Sequence, residues 1–160
     1  MITGKDSLLN VKQENSEIIE TGCTVKFRVR YYETDAMGIV HHSNYLRWFE
    51  LGRTEYLRQA GMPYRKMEEE GIASPVIAIN CKYHLPARYD DEIELKTWVK
   101  DYKNTRLTLG YVVKCQGKLL CSGESQHAFI WQNRPAAPKR SLPELHKLLE
   151  NCRLKDQNSE

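Results

Sequence analysis

Residues 31–45 read YYETDAMGIVHHSNY, and they separate two segments whose apolar residues recur with different periods. Over residues 25–32, apolar residues alternate with lysine and arginine, which predicts a half-buried strand. Over residues 45–60, apolar residues recur at steps of three and four positions, which predicts an amphipathic helix of about 17 residues. The quoted stretch is therefore the junction between a strand and a long helix, and it decides the fold.

The predicted helix has a cap, an end and one unusual position. Its cap is predicted at His42, Ser43 or Asn44, and it ends near Gly61. Gly52 lies on the apolar stripe, where glycine costs about 1 kcal/mol in helix propensity relative to alanine. A close approach of the helix backbone to a sheet would explain why glycine stands at this position.

After the long helix come a short helical segment at 64–70, four strand-like runs and a last helix. The strand-like runs are residues 77–85, 93–99, 107–113 and 119–131. Turn residues at 101–104 and 116–117 favour antiparallel hairpins, and a capping box at 141–144 opens the last helix. A single long helix and one antiparallel sheet need each other for burial.

The sequence thus predicts an α+β fold in which a curved antiparallel five-stranded sheet wraps around a long central helix, with an added C-terminal helix. We predict an N-terminal extension at 1–22, the main domain at 23–135, and the C-terminal helix and tail at 136–160.

Composition and charge exclude several classes of protein. Of the 160 residues, 41% are hydrophobic and 28% are charged, and no apolar run reaches the ~18 residues of a transmembrane helix. The net charge is +3, and because residues 1–22 carry −2 and residues 153–160 carry 0, the segment between them carries +5. This excess is too small to indicate nucleic-acid binding, but it suits an anionic small molecule.

The cysteines and the N-terminal composition indicate a reducing compartment. None of the five cysteines forms a Cys-x-x-Cys pair, so no zinc site or other metal site is expected. The first thirty residues lack the apolar segment of a secretory signal. We therefore expect a cytoplasmic protein whose cysteines are small core residues.

The junction also carries groups suited to acyl chemistry. It contains an acid at Asp35, a glycine three residues later at Gly38, two histidines and then a helix start. A helix N-terminus exposes unpaired N–H groups and a positive dipole end, which can stabilise the oxyanion of an acyl-transfer reaction. A thioester suits such a small apparatus because its thiol, with a pKa of about 8.5, leaves without strong acid help.

The pattern Tyr-x-x-x-Asp-x-x-Gly-x-x-x-His-x-x-Tyr resembles that of the hotdog-fold 4-hydroxybenzoyl-CoA thioesterase family, in particular its bacterial acyl-CoA thioesterase branch, which includes the Tol–Pal-associated enzymes. The matching positions are Tyr31, Asp35, Gly38, His42 and Tyr45. The order of elements over 24–132 also matches the hotdog fold. One departure is Ala36, because some family members have proline directly after the acid.

The resemblance implies an acyl-CoA thioesterase and assigns roles at the junction. Asp35 would be the catalytic carboxylate, either as a nucleophile that gives a mixed anhydride or as a general base on water. The backbone N–H of His42 would polarise the thioester carbonyl, and its side chain would bind the carbonyl or orient water. Tyr31 would support the site from the strand end.

The resemblance also implies how substrate and subunits meet. Family members bind CoA in a groove between subunits, and the candidates for its phosphates here are Arg88, Lys103 and Arg106. No metal or redox cofactor is implied, since coenzyme A is part of the substrate. The fold would assemble as a homo-oligomer, a dimer or a tetramer, because an exposed sheet edge is a liability.

Several alternatives stay open on the sequence. The same site could release acyl groups from a carrier protein in fatty-acid or polyketide synthesis, or the chain could be a non-catalytic acyl-CoA-binding subunit. Glu50 is either paired with Arg47 or Arg53, which is the plainer interpretation, or a second carboxylate in the cleft. Tyr31 could simply end a core stripe. The acyl group, whether aromatic, short, medium or long, is not specified.

Overall fold

The computed structural model describes residues 21–158, so most of the predicted extension lies outside the described residues. The helices are α1 (His42–Gln59), α2 (Tyr64–Glu69), α3 (Pro138–Ser141) and α4 (Pro143–Gln157). The strands are β1 (Cys23–Arg28), β2 (Ile72–Ala73), β3 (Val76–Tyr83), β4 (Glu92–Lys103), β5 (Arg106–Cys115), β6 (Lys118–His127), β7 (Ile130–Trp131) and β8 (Arg134–Pro135). No helix within 21–158 is long and apolar enough to cross a membrane.

The main sheet confirms the predicted α+β hotdog fold. Its five strands are antiparallel and follow the order β1-β4-β5-β6-β3. Both predicted antiparallel hairpins are confirmed, and the β5–β6 turn lies at 116–117 as predicted. The β4–β5 turn lies at 104–105 rather than at 101–104, because β4 runs on to Lys103. A register shift between Val99 and Asp101 keeps Tyr102 buried at the sheet end, so the alternation that marks the strand is broken where the sequence suggested a turn.

Helix α1 packs its apolar stripe against this sheet, mainly against β4 and β1. The predicted close approach at Gly52 is confirmed. A Cβ at this position would overlap Thr97 Oγ1 and would lie 2.9 Å from Leu95 Cδ2. One turn earlier, Phe49 stacks on Tyr111 with ring centroids 4.3 Å apart. The helix backbone therefore lies close to the sheet because residue 52 has no side chain.

Strand β3 differs from its prediction. Its alternation indicated one buried face, but seven of its eight residues are exposed and the eighth, Cys81, is half-buried. The reason is its place in the sheet: β3 is an edge strand whose partner within the described chain is β6. Periodicity identifies an apolar face but not whether anything covers it.

The C-terminal part departs from prediction in two places. The predicted run 119–131 is broken after His127, and its last residues form β7 in a small second sheet of order β2-β7-β8. The capping box at 141–144 is wrong, because Ser141 ends α3 and the cap of α4 is Leu142, which makes no side-chain cap bond.

Helix α4 is fixed to the sheet by one buried carboxylate. Asp156 accepts hydrogen bonds from Tyr56 Oη at 2.6 Å, from the Val99 N–H at 2.8 Å and from the Gly22 N–H at 2.9 Å. These contacts join α4 to α1, β4 and the segment before β1. Burial raises the pKa of Tyr56 far above its usual range, and its bond to Asp156 adds to this effect. Helix α4, which lies in the predicted C-terminal segment 136–160, therefore packs on the same sheet as α1.

Candidate active site

The loop that carries Asp35 is held together by hydrogen bonds between its own residues. Thr34 and Val40 form an isolated antiparallel bridge, and the Asp35 N–H donates to the Ile39 carbonyl at 2.9 Å. Oδ1 of Asp35 accepts a hydrogen bond from the Met37 N–H at 2.8 Å, whereas Oδ2 accepts none from residues 21–158. One carboxylate oxygen is thus anchored, and the other is available on a half-buried side chain.

A buried acid, Glu33, holds this loop against helix α1. Its Oε1 accepts from Trp48 Nε1–H at 2.9 Å and its Oε2 from the Arg30 N–H at 2.8 Å. Its carbonyl accepts from Asn44 Nδ2–H at 2.8 Å and from the His41 N–H at 2.9 Å. Sequence periodicity does not reveal Glu33, because it lies in a 3-10 turn, Tyr31–Glu33, outside any helix or strand period. Its spacing of three from Arg30 is one signal that indicates it.

The start of α1 presents one backbone donor. The cap is His41, not the predicted His42, Ser43 or Asn44, and its Nδ1 accepts from the Ser43 N–H at 3.3 Å. The Asn44 N–H donates to the His41 carbonyl at 2.9 Å. The His42 N–H donates to no acceptor within the described part of the chain, while Tyr83 Oη donates to the His42 carbonyl at 2.9 Å. An unpaired N–H at a helix N-terminus can bind a developing negative charge.

Residues 87 and 88 support the loop from the sheet side. The Val40 N–H donates to the Ala87 carbonyl at 2.8 Å, and Tyr45 Oη accepts from the Ala87 N–H at 3.3 Å. Burial raises the pKa of Tyr45 to about 12, so it stays protonated. Arg88 Nη1 donates to the Gly38 carbonyl at 3.5 Å. The predicted basic residue Arg88 therefore lies beside the Asp35 loop.

The other two predicted basic residues lie elsewhere in the same chain. Lys103 and Arg106 face each other across the β4–β5 hairpin, and Lys103 pairs with Asp101 at 3.4 Å. Lys103 follows Glu92 by eleven positions in β4, so at about 3.3 Å per residue the hairpin lies up to ~36 Å along the strand from the end near the loop. Within one chain the structure does not bring these two cations to Asp35.

Tyr31 is placed differently from its prediction. Strand β1 ends at Arg28, so Tyr31 is not at the strand end but opens the 3-10 turn. It is 78% exposed, so it does not end a core stripe either. Its ring meets Tyr89 edge to face with centroids 5.6 Å apart. Its role in the site stays a prediction.

A cavity of about 220 Å³ lies beside the first turns of α1, next to strand β3. Its walls include Leu46, Glu50 and Arg53 from the helix and Ile79 from β3. Glu50 forms no ion pair within residues 21–158, so its predicted pairing with Arg47 or Arg53 is wrong. It lines this cavity, and a role as a second carboxylate stays a prediction. A larger cavity, of about 400 Å³, lies on the outer face of the sheet, remote from the Asp35 loop.

Comparisons with known proteins match this arrangement. The model of a thioesterase-like superfamily matches residues 29–147. YneP of Bacillus subtilis (strain 168), provisionally named an acyl-CoA thioesterase, is 35% identical over 131 residues, which are 80% of this chain and 95% of that protein. The acyl-CoA thioester hydrolase YbgC of Escherichia coli O157:H7 is 34% identical over 98 residues, which are 61% of this chain and 73% of that protein.

A solved structure gives the same result in three dimensions. The DHNA-CoA thioesterase of Staphylococcus aureus superposes with a TM-score of 0.82 at 29% identity, covering 88% of this chain and 97% of that one. The matched family region includes the Asp35 loop, helix α1 and strands β3 to β6. The likeness therefore extends over the site as well as the sheet.

Proposed function

The chain belongs to the thioesterase-like superfamily and is an acyl-CoA thioesterase, and on that premise we propose that Asp35 is its catalytic carboxylate. This proposal rests on two groups at the two ends of one short loop. Asp35 Oδ2 accepts no hydrogen bond from the described residues, and the His42 N–H donates none to them. A carbonyl carbon held between them would face a base or nucleophile on one side and an oxyanion donor on the other.

The reaction is hydrolysis of a thioester to a carboxylic acid and the thiol of CoA. In one course Asp35 takes a proton from water, whose oxygen adds to the carbonyl carbon. In the other, Asp35 itself adds, the thiolate leaves, and water then hydrolyses the mixed anhydride. In both, the negative charge on the carbonyl oxygen is stabilised by the His42 N–H and the positive end of α1. When the oxyanion collapses, the C–S bond breaks and the thiolate takes up a proton.

Replacement of the carboxylate tests this proposal. Asp35→Asn keeps the size of the side chain but removes the base and nucleophile, so kcat should fall by about 10²-fold or more. Initial rates are measured on benzoyl, short, medium and long acyl-CoA substrates. Glu94→Gln, which removes one carboxylate from the Lys26 ion pair on the outer sheet face, is the matched control. An Asp35→Asn enzyme that keeps most of its activity on every substrate that the wild type cleaves would refute the proposal.

The edge strand β3 supports the further proposal that the protein is a homodimer. Val76, Ile77, Ile79, Tyr83 and Leu85 are each 41–50% exposed along this edge. Pairing of β3 with β3 of a second copy about a two-fold axis would cover them and extend the sheet across both subunits. Light scattering should give a dimer mass for the wild type and a monomer mass for Ile77→Glu; a monomeric wild type would refute the pairing.

We also propose a cytoplasmic location. All five cysteines are free thiols. Cys81 and Cys121, on neighbouring strands, have sulfurs 3.1 Å apart without a disulfide. Such a pair suits a compartment whose thiol pool keeps cysteines reduced.

A further inference from the structure

One side chain of strand β3 reaches the first residue of helix α1. Tyr83, the last residue of β3, donates its hydroxyl proton to the His42 carbonyl at 2.9 Å. The direction of this hydrogen bond is fixed, since a carbonyl oxygen accepts and has no proton to donate. The two residues are 41 positions apart in the chain, so the bond ties the helix start to the edge strand of the sheet.

Tyr83 is itself held at its backbone and at its ring. It lies opposite Cys121 of β6, and the next residue, His84, donates its N–H to the Leu120 carbonyl at 2.8 Å. Its ring packs edge to face on Tyr45 with centroids 5.2 Å apart, and Tyr45 is almost completely buried. The Tyr83 hydroxyl therefore has a defined position, although 47% of the residue is exposed.

The helix itself does little to hold the His42 N–H. The first N–H groups of an α-helix have no acceptor inside the helix, and the His42 N–H donates to none within residues 21–158. This N–H shares one planar peptide with the His41 carbonyl, which accepts from the Asn44 N–H at 2.9 Å. The peptide on the N-terminal side of His42 is thus held by one hydrogen bond.

The Tyr83 hydroxyl holds the peptide on the other side of the same residue. A carbonyl oxygen has two lone pairs, so the His42 carbonyl can accept from Tyr83 and also act as the helical acceptor for the N–H four residues later. Because peptides are planar, a residue whose two neighbouring peptides are held has little freedom left in φ and ψ. The direction of the His42 N–H is therefore set partly from the sheet.

We propose that Tyr83 is a positioning residue, whose hydroxyl holds the His42 N–H in place. This inference rests on the proposed function for the use of that N–H as the oxyanion donor. An oxyanion donor is effective because it already points at the position where negative charge develops in the transition state. Tyr83 acts through His42, so its hydroxyl should contribute to the rate of the chemical step and not to substrate binding.

The substitution Tyr83→Phe removes the hydroxyl and keeps the ring that packs on Tyr45. With an acyl-CoA that the wild type cleaves, kcat should fall about fivefold, as expected for the loss of one hydrogen bond. KM should stay unchanged, because the interaction improves only the transition state. The loss should be smaller than the about 10²- to 10³-fold that follows removal of an oxyanion donor, since the His42 N–H is still present.

Tyr102→Phe is the matched control. It also removes one tyrosine hydroxyl, whose partner is His146 Nδ1 at 2.8 Å, at the β4–β5 hairpin and away from the start of α1. Its kcat and KM should equal those of the wild type.

A second measurement follows the N–H itself and does not depend on activity. Nitrogen-15 relaxation gives the order parameter of the His42 amide, which should be about 0.85, as in rigid backbone, in the wild type and in Tyr102→Phe. In Tyr83→Phe it should fall toward the value of about 0.6 that marks flexible backbone. The same amide spectra show whether each variant is folded.

The two measurements separate this inference from the proposed function. An unchanged His42 order parameter in Tyr83→Phe, or an equal loss of kcat in Tyr83→Phe and Tyr102→Phe, would overturn the inference. A lower order parameter together with wild-type kcat would leave the positioning by Tyr83 standing and would refute the role of the His42 N–H as the oxyanion donor.

Discussion

The substitution Gly52→Ala tests how closely helix α1 approaches the sheet. The Cβ of Gly52→Ala would overlap Thr97 Oγ1 and lie 2.9 Å from Leu95 Cδ2, and both of these residues are completely buried. Overpacking of a well-packed core costs about 1–3 kcal/mol, whereas alanine gains about 1 kcal/mol over glycine in helix propensity. Because the new methyl group would collide with two side chains, we take the upper end of the overpacking cost, about 3 kcal/mol. Subtracting the gain in helix propensity leaves a net loss of unfolding free energy of about 2 kcal/mol.

The assay is urea denaturation followed by circular dichroism, with the midpoint compared at constant slope. Thr97→Ala provides the second arm of a double-mutant cycle. Thr97 Oγ1 has no hydrogen-bond partner among the described residues, so its removal orphans no other group and relieves the overlap. Gly52→Ala should therefore be near neutral in the Thr97→Ala background, with a coupling energy of at least about 1 kcal/mol. Gly52→Ala at wild-type stability, or equal effects in both backgrounds, would refute the close approach.

Two further predictions concern buried polar groups. Glu33→Leu should lower both stability and kcat more than Glu33→Gln, because leucine leaves Trp48 Nε1–H and the Arg30 N–H unpaired at about 1–3 kcal/mol each; equal unfolding midpoints and rates for the two variants would contradict this. The pKa of His127 is lowered to about 4, against about 6.5 in an unfolded chain. The unfolded state therefore binds the proton first, and stability that is fully present above pH ~6.5 should fall by up to about 3 kcal/mol as the pH approaches 4. Denaturation of His127→Gln should show a smaller loss over that window, and parallel pH profiles would exclude the effect.

Local sequence patterns predicted the helix end and the turn whose formation depends mainly on residues nearby in the chain. The long helix ends within two residues of its predicted end, and the β5–β6 turn lies where its glycine indicated. The predicted capping box failed because Pro138 starts a separate short helix that includes Ser141. At the candidate site, the motif predicts roles for Asp35 and His42, and these roles stay predictions. Glu33 went unnoticed since sequence rules treat an acid as exposed unless a distant partner is known.

Sequence patterns alone were enough to place the long helix α1 and the five strands of the main sheet, to show which side of α1 is apolar, and to show where a carboxylate precedes a helix start. These properties follow from backbone propensity and side-chain spacing, which act over a few residues. Tertiary structure alone decided that β3 is an edge strand, that Trp48 satisfies Glu33 fifteen residues away, and that Arg53 reaches His127 across seventy-four positions. Strand order and buried hydrogen bonds depend on how distant segments share one core, because a polar group is buried only where another part of the chain satisfies it.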